Sequence, residues 1–289
     1  MDYRQQFRVQ PGSSVDLAKI DPDLVPEQPS KTEADEELRQ SIDALGKLQY
    51  RMWAEQKHAL LVVLQGLDAA GKDGTVRHVM TGINPAGCRV TAFKEPTKEE
   101  LAHDFLWRVH PHVAARGEVA VFNRSHYEEV LIVRVHQLAP AAVWSQRYDE
   151  INAFEVMLHR ESQTTILKFF LHISKDEQLR RFENRLEDPM RQWKISEADY
   201  RERDHWDDYQ TAYQDALSRT STEHAPWFVI PANHKWFRNL AVAKILVETL
   251  EAMKIELPQP TVDLKRIREL FHKAGAGKEA PAPPGRPVR

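Results

Sequence analysis

Apolar positions along the chain change their period several times, and the changes mark out alternating helices and strands. Across 32–58, Leu38, Ile42, Leu45, Leu48 and Met52 recur at three- and four-residue spacing behind an acidic first turn, which predicts an amphipathic helix. The run Leu60-Leu61-Val62-Val63-Leu64 breaks that period: it is continuously apolar and predicts a buried strand over 59–65. Val76, Val79, Met80 and Ile83 give the next helix its apolar stripe, which Asn84-Pro85-Ala86-Gly87 ends. Further strands are expected over 88–93, 119–122, 165–173 and 225–231. Between the second and third strands, Thr97 followed by Glu100 reads as a capping box that opens a helix running to about Arg116. A long helix from about Ala141 to Arg160 follows the third strand, Ser174 and Glu177 open another after the fourth, and a closing helix runs from Lys235 to about Met253. Alternation of this kind predicts an α/β fold, a parallel five-stranded sheet with helices on both faces. Its ligands belong at the carboxyl ends of the strands.

The chain ends depart from this rhythm. Residues 1–31 carry Pro11, Pro22, Pro26 and Pro29 with little periodicity, an extended arm that either lies on the domain or is partly disordered. Residues 32–257 form the expected domain, and 258–289, with Pro281, Pro283, Pro284 and Pro287, a flexible tail.

Composition narrows the classes. A chain of 289 residues, 42% hydrophobic and 29% charged, can bury one large core. A net charge of −3 gives no overall nucleic-acid footprint, so polyanion binding needs a local basic patch. The single cysteine, Cys88, excludes an internal disulfide and a cysteine-based zinc site. With no apolar leader at the start and no run near the roughly 18 apolar residues of a membrane span, the expected location is cytoplasmic.

The candidate chemistry follows the first strand. Gly66-Leu67-Asp68-Ala69-Ala70-Gly71-Lys72-Asp73-Gly74-Thr75 is a glycine-bounded loop ending in Gly-Lys before a helix. Backbone N–H groups at such a helix start converge on an anion and the lysine adds a full charge, so the loop is a phosphate cradle. The usual Ser or Thr after the lysine is replaced by Asp73. Two carboxylates beside phosphates repel them unless a divalent cation or a base intervenes. Asp68 is therefore a candidate Mg²⁺ ligand, and Asp73 either a weaker one or a helix cap.

The third strand ends in Asn123-Arg124-Ser125-His126-Tyr127-Glu128-Glu129, where P-loop enzymes commonly place a metal-holding acid. Asn123 takes that place, and Glu128 is the next carboxylate able to point back. Arg124 either clamps a phosphate through its planar fork or pairs with Glu128 or Glu129 on the surface. His126 is more often a hydrogen-bonded structural residue than a base, because phosphoryl transfer asks mainly for positioning and charge neutralisation. Over about 180–210, Arg181, Arg185, Arg191, Lys194 and Arg203 alternate with acids. Alone that would be a solvated face, but after the fourth strand of a P-loop kinase it is the position of a mobile lid, here with Trp193, Trp206 and Tyr209 as packing residues.

These blocks, with Ala225-Pro226-Trp227 and Lys235-Trp236, resemble the polyphosphate kinase 2 family over roughly residues 35–255. Within it, Asn123 together with Glu128 resembles the branch that accepts both AMP and ADP. The resemblance implies a thymidylate kinase-like fold and Mg²⁺-dependent phosphoryl transfer between inorganic polyphosphate and adenine or guanine nucleotides. It implies that Asp68 and Lys72 are essential and that Asn123 and Arg124 help hold the acceptor phosphates; Asp68, Lys72 and Arg124 are the expected catalytic residues, and Asp68 and Glu128 the expected metal ligands. It also implies phosphate and nucleotide contacts from Gly66, Ala69, Ala70, Gly71, Asp73, Gly74, Thr75, Asn123, Ser125 and Glu128, with lid bases along a polyphosphate channel. A homo-oligomer, dimer or tetramer, is expected, without nucleic-acid or membrane partners. Two rivals use the same scaffold: an ATP-dependent nucleoside monophosphate kinase, and a P-loop module that binds nucleotide without turnover.

Overall fold

The computed structural model describes residues 2–26 and 30–276; Pro29 and the four prolines from Pro281 onward lie outside these. Five strands, β1 (Ala59–Gln65), β2 (Cys88–Ala92), β3 (Val119–Asn123), β4 (Thr164–His172) and β5 (Trp227–Pro231), form one sheet in the order β2-β3-β1-β4-β5, every pair parallel. The helices are α1 (Tyr3–Phe7), α2 (Lys31–Glu55), α3 (Lys72–Val79), α4 (Ile132–Val135), α5 (Ala141–Trp144), α6 (Arg147–Ser162), α7 (Lys175–Glu187), α8 (Glu197–Asp204), α9 (Trp206–Thr220), α10 (Lys235–Ala252) and α11 (Leu264–Ala276). The chain divides into two compact units, 1–256 and 257–289.

Why the sheet is covered twice is visible in β1. All seven of its residues are buried, and the period of two splits them. Leu60, Val62 and Leu64 join a core with α1, α2 and α10, whereas Ala59, Leu61 and Val63 join one with α6, α9 and residues 105–114. β1 sits between β3 and β4, so the loop at its end opens at the middle of the sheet.

The first residues close the β5 edge. Arg8 bridges Phe228 in antiparallel fashion, and the Val9 N–H donates to the Trp227 carbonyl at 2.9 Å. Tyr3 and Phe7 stack at 5.7 Å, and Phe7 meets Phe237 of α10 edge-on at 5.9 Å. A row of backbone groups that would otherwise stand open is partly paired and covered.

Four expectations need correction. The helix predicted from Thr97 to Arg116 is absent, although both capping bonds form, Thr97 N–H to Glu100 and Glu100 N–H to Thr97 Oγ1. Only the short 3₁₀ turns Glu100–Ala102 and His110–His112 follow. Asp104 accepts the Leu106 N–H in a turn of its own, and Pro111 cannot donate to a helical ladder. The single helix expected from Ala141 is broken at Ser145 into α5 and α6. In the segment read as a tail, residues 264–276 are helical, with Leu264, Ile267, Leu270 and Phe271 at helical spacing. Of the aromatic residues assigned to lid packing, Trp206 and Tyr209 are buried, but Trp193 is 77% exposed.

Candidate active site

The loop between β1 and α3 is built around backbone that only particular residues tolerate. Gly71 lies at φ +106°, and a Cβ there would sit 1.8 Å from Nη1 of Arg238. Ala69 adopts φ +63°, and its carbonyl and that of Ala70 both accept from Nη1 of Arg181, at 2.8 and 2.9 Å. The Asp68 carbonyl accepts from Gln178 Nε2 at 3.0 Å. With three successive carbonyls held by side chains of α7, the loop is fixed in one shape before any phosphate arrives.

Lys72 begins α3 with its ammonium folded back over the loop, donating to the Gly66 carbonyl at 2.6 Å and the Leu67 carbonyl at 3.3 Å. Burial, and next the Arg124 guanidinium, lower its pKa to about 8. Arg124 stands opposite, at the end of β3. Its φ of +62° is a left-handed conformation uncommon outside glycine, and it accompanies a side chain that reaches back across the sheet. Nη2 meets Asp68 Oδ1 at 2.7 Å and Nη1 lies 3.7 Å from Glu128 Oε2. Burial opposes the charge on Arg124, but Glu128 and then Asp68 outweigh it and hold its pKa above the ordinary value. The surface-pair reading of Arg124 through Glu129 is overturned, since Glu129 pairs with Arg147.

Asp73 is not the helix cap that its position allowed. Gly71, not Asp73, is the N-cap of α3, and no side chain caps that helix. The Asp73 carboxylate instead accepts from Asn123 Nδ2 at 2.7 Å and from Lys194 Nζ at 3.1 Å. It ties the end of β3 and the segment after α7 to the start of α3.

The fold therefore gathers Asp68, Lys72, Asp73, Asn123, Arg124, Glu128 and Lys194 around one loop. Other candidates sit elsewhere. Ser125 is buried, with Oγ accepting from Gln65 Nε2 and from the Tyr127 N–H, each at 3.2 Å. Thr75 is buried and donates to the Gly71 carbonyl at 3.2 Å, and Gly74 packs above Arg238. Arg181 lies under the loop, only 5% exposed, rather than on a lid surface. Arg185 faces Asp199 at 3.9 Å, Arg191 pairs with Asp188 at 2.9 Å, and Arg203 donates to the Lys175 carbonyl and, at 3.2 Å, to Gln178 Oε1. His126 is fully buried against Glu155 at 3.4 Å, within a network described below.

Two contributors went unread in the sequence. Gln178 is one polar residue among many on α7. Arg238 left a clearer sign, a charge close to Phe237, Leu240, Ala241 and Val242, which face the core.

Among the described residues no group of three or more His, Cys, Asp or Glu is arranged to hold a metal by itself. Asp68 and Glu128 nevertheless converge on one guanidinium beside the cradle. One or two carboxylates completed by phosphate oxygens and water is the set Mg²⁺ takes, so the residues fit that ion.

Comparison with known proteins agrees in scale with this geometry. The family model for polyphosphate kinase 2 matches residues 28–258. An AMP/ADP-polyphosphate phosphotransferase of Meiothermus ruber is 51% identical over 264 residues, 91% of this chain and 98% of that protein. An ADP-polyphosphate phosphotransferase of Rhodopseudomonas palustris is 46% identical over 269 residues, 89% of this chain and 93% of that protein. The crystal structure of polyphosphate kinase 2 from Arthrobacter aurescens TC1 superposes with a TM-score of 0.91 at 43% identity, covering 94% of this chain and 97% of that one. No helix among the described residues is long and apolar enough to cross a membrane.

Proposed function

The chain belongs to the polyphosphate kinase 2 family, and from that premise we propose that it moves the terminal phosphoryl group between inorganic polyphosphate and both AMP and ADP. The observation that carries this reading is the gathering of Lys72 and Arg124 at a preformed loop, with Asp68 and Glu128 against Arg124 and Lys194 tied in from the segment after α7. Such a site needs no base and no nucleophile of its own, because the acceptor is already an anionic phosphate oxygen.

In the forward direction that oxygen attacks the terminal phosphorus in line, the bond to the penultimate unit breaks, and the shortened chain leaves with the electron pair. Loop N–H groups orient the phosphates. Lys72 has three N–H bonds, two of them engaged by carbonyls, so one remains for a phosphate oxygen. Arg124, bonded through Nη2 to Asp68, presents its fork to the charge that spreads over the transferring group. Asp68 and Glu128 would hold Mg²⁺, which would supply neutralisation of part of that charge. Lys194 and the lid bases follow the polyphosphate and exclude water.

Incubation with polyphosphate, Mg²⁺ and either AMP or ADP, with products resolved by chromatography, tests the proposal. AMP should yield ADP and then ATP, and ADP should yield ATP. Transfer only from ATP, with polyphosphate inert, would favour the nucleoside monophosphate kinase instead. The expected homo-oligomer is read separately by light scattering.

A pH dependence follows from Lys72. Its ammonium is charged below about pH 8 and neutral above, so the free enzyme loses a phosphate donor as pH rises. The expected result is a kcat/KM for polyphosphate that falls above about pH 8, approaching tenfold per unit, while kcat holds to higher pH because bound phosphates stabilise the ammonium. A kcat/KM that stays level to about pH 10 would show that the Lys72 ammonium keeps its ordinary pKa in the free enzyme.

A further inference from the structure

Beneath the loop lies a charge that has no partner of opposite sign among the described residues. Arg238, in the first turns of α10, is 3% exposed. Its Nη1 donates to the Ala70 carbonyl at 3.2 Å, and its Nε and Nη2 donate to Asn239 Oδ1 at 3.1 and 2.8 Å. Among the described residues it makes no salt bridge, and the nearby carboxylates are engaged by other bases. Glu177 pairs with Arg180 and Arg181, Asp68 with Arg124, and Asp73 with Lys194. A buried cation without a counter-ion is expensive to keep, and the surroundings add to the cost. Arg181 is a second buried cation in the same layer, and burial followed by Arg181 lowers the Arg238 pKa without any carboxylate to offset them. Arg238 also sits at the start of α3, against Gly71 and Gly74, where the helix dipole is positive and a cation is disfavoured. The absent side chains at those glycines let the guanidinium lie directly on the backbone whose N–H groups form the cradle.

We propose that Arg238 is a positioning residue of the phosphate loop whose counter-ion is the bound phosphate chain: it supports the loop from below, and its charge is balanced only when phosphates fill the cradle above. This rests on the phosphate-binding reading of the loop. A residue kept only to support the loop would make the empty protein more stable. Arg238 makes the empty protein less stable than an apolar residue of equal length would, and returns that difference on binding. The Ala70 carbonyl does not depend on it, since Arg181 donates there as well.

The test uses inorganic tripolyphosphate as the probe, with thermal unfolding and calorimetric titration of the full chain. Wild type should gain thermal stability on adding tripolyphosphate. Arg238→Met should unfold at or above the wild-type temperature without the anion, gain much less with it, and bind it about tenfold or more weakly. Arg238→Lys keeps the charge and loses the fork, and should bind within about threefold of wild type. An Arg238→Met protein that is less stable or unfolded without anion, or that keeps the wild-type gain and affinity, would leave Arg238 as a strut and overturn the inference. So would a tenfold loss in Arg238→Lys. If wild type itself shows neither stabilisation nor binding, the phosphate-loop reading fails first and takes the inference with it; a wild-type response unchanged in the variants defeats the inference alone.

Discussion

Asp68→Asn is expected to lower kcat by about 10³ while moving the unfolding temperature by only a degree or two. The substitution is isosteric, and the oxygen facing Arg124 Nη2 at 2.7 Å is retained as an acceptor, so the loop and the fork keep their places. What disappears is a charge, and with it one of the two carboxylates that fit Mg²⁺. Electrostatic terms of this kind act on the transition state more than on the bound substrate, so KM for the nucleotide should change far less than kcat. Steady-state kinetics with polyphosphate and AMP, repeated over a Mg²⁺ series, read both quantities. Near-normal kcat at ordinary Mg²⁺ would mean that Asp68 only braces Arg124. The metal assignment would then rest on Glu128 alone.

The second large effect lies in the core behind the site. Lys168 of β4 and Glu155 of α6 are both fully buried and meet at 2.6 Å. The Lys168 ammonium also donates to Tyr127 OH at 2.8 Å and to the Thr220 carbonyl at 2.7 Å, while Tyr127 OH donates to Glu155 at 2.9 Å. His126 completes the group from the turn that follows Arg124 and Ser125. Glu155→Gln leaves the lysine without its counter-ion in a dry interior, and the expected loss is about 3–5 kcal/mol, or roughly 5–10 °C. The paired change Glu155→Leu with Lys168→Met removes both charges and should recover most of that loss. Denaturant unfolding of the single and double variants measures the coupling. Additive losses would show that the ion pair contributes little beyond packing. Because the network clamps the turn carrying Arg124, the double variant should regain stability without regaining all of its activity.

How far the sequence reveals this molecule depends on the distance over which each feature is decided. The cradle from Gly66 to Thr75 is contiguous, so its backbone demands and its lysine are written in ten adjacent positions. Asn123, Arg124 and Glu128 were legible by a rule of place, because ligands of parallel sheets lie where strands end. Apart from β2, the strands were legible as apolar runs, within a residue or two at their ends. Helix 97–116 failed because local capping signals favour a helix start but cannot supply the packing that sustains one. Lys168 and Arg238 were opaque for a different reason. Each is a charge in an apolar segment, and whether it is paired, exposed or buried alone is settled by residues far along the chain; Arg238 meets Ala70 across a separation of 168. The partners of Asp73 were equally distant, 50 residues away in Asn123 and 121 in Lys194. Its position alone therefore allowed a cap or a ligand but could not show a latch.

The arm along β5 sets an order on how this protein matures. Residues 3–9 leave the ribosome long before Trp227 and Phe228, against which they dock. Until then Tyr3 and Phe7 have no aromatic cluster to enter, and once β5 joins the sheet its outer row of backbone groups waits on the far end of the chain. The final closure of the sheet is a contact of very long range, slow by its nature and open to capture by another copy in the interval. A bulky fusion before Tyr3 should therefore slow folding and promote aggregation during synthesis more than the same fusion placed after α11.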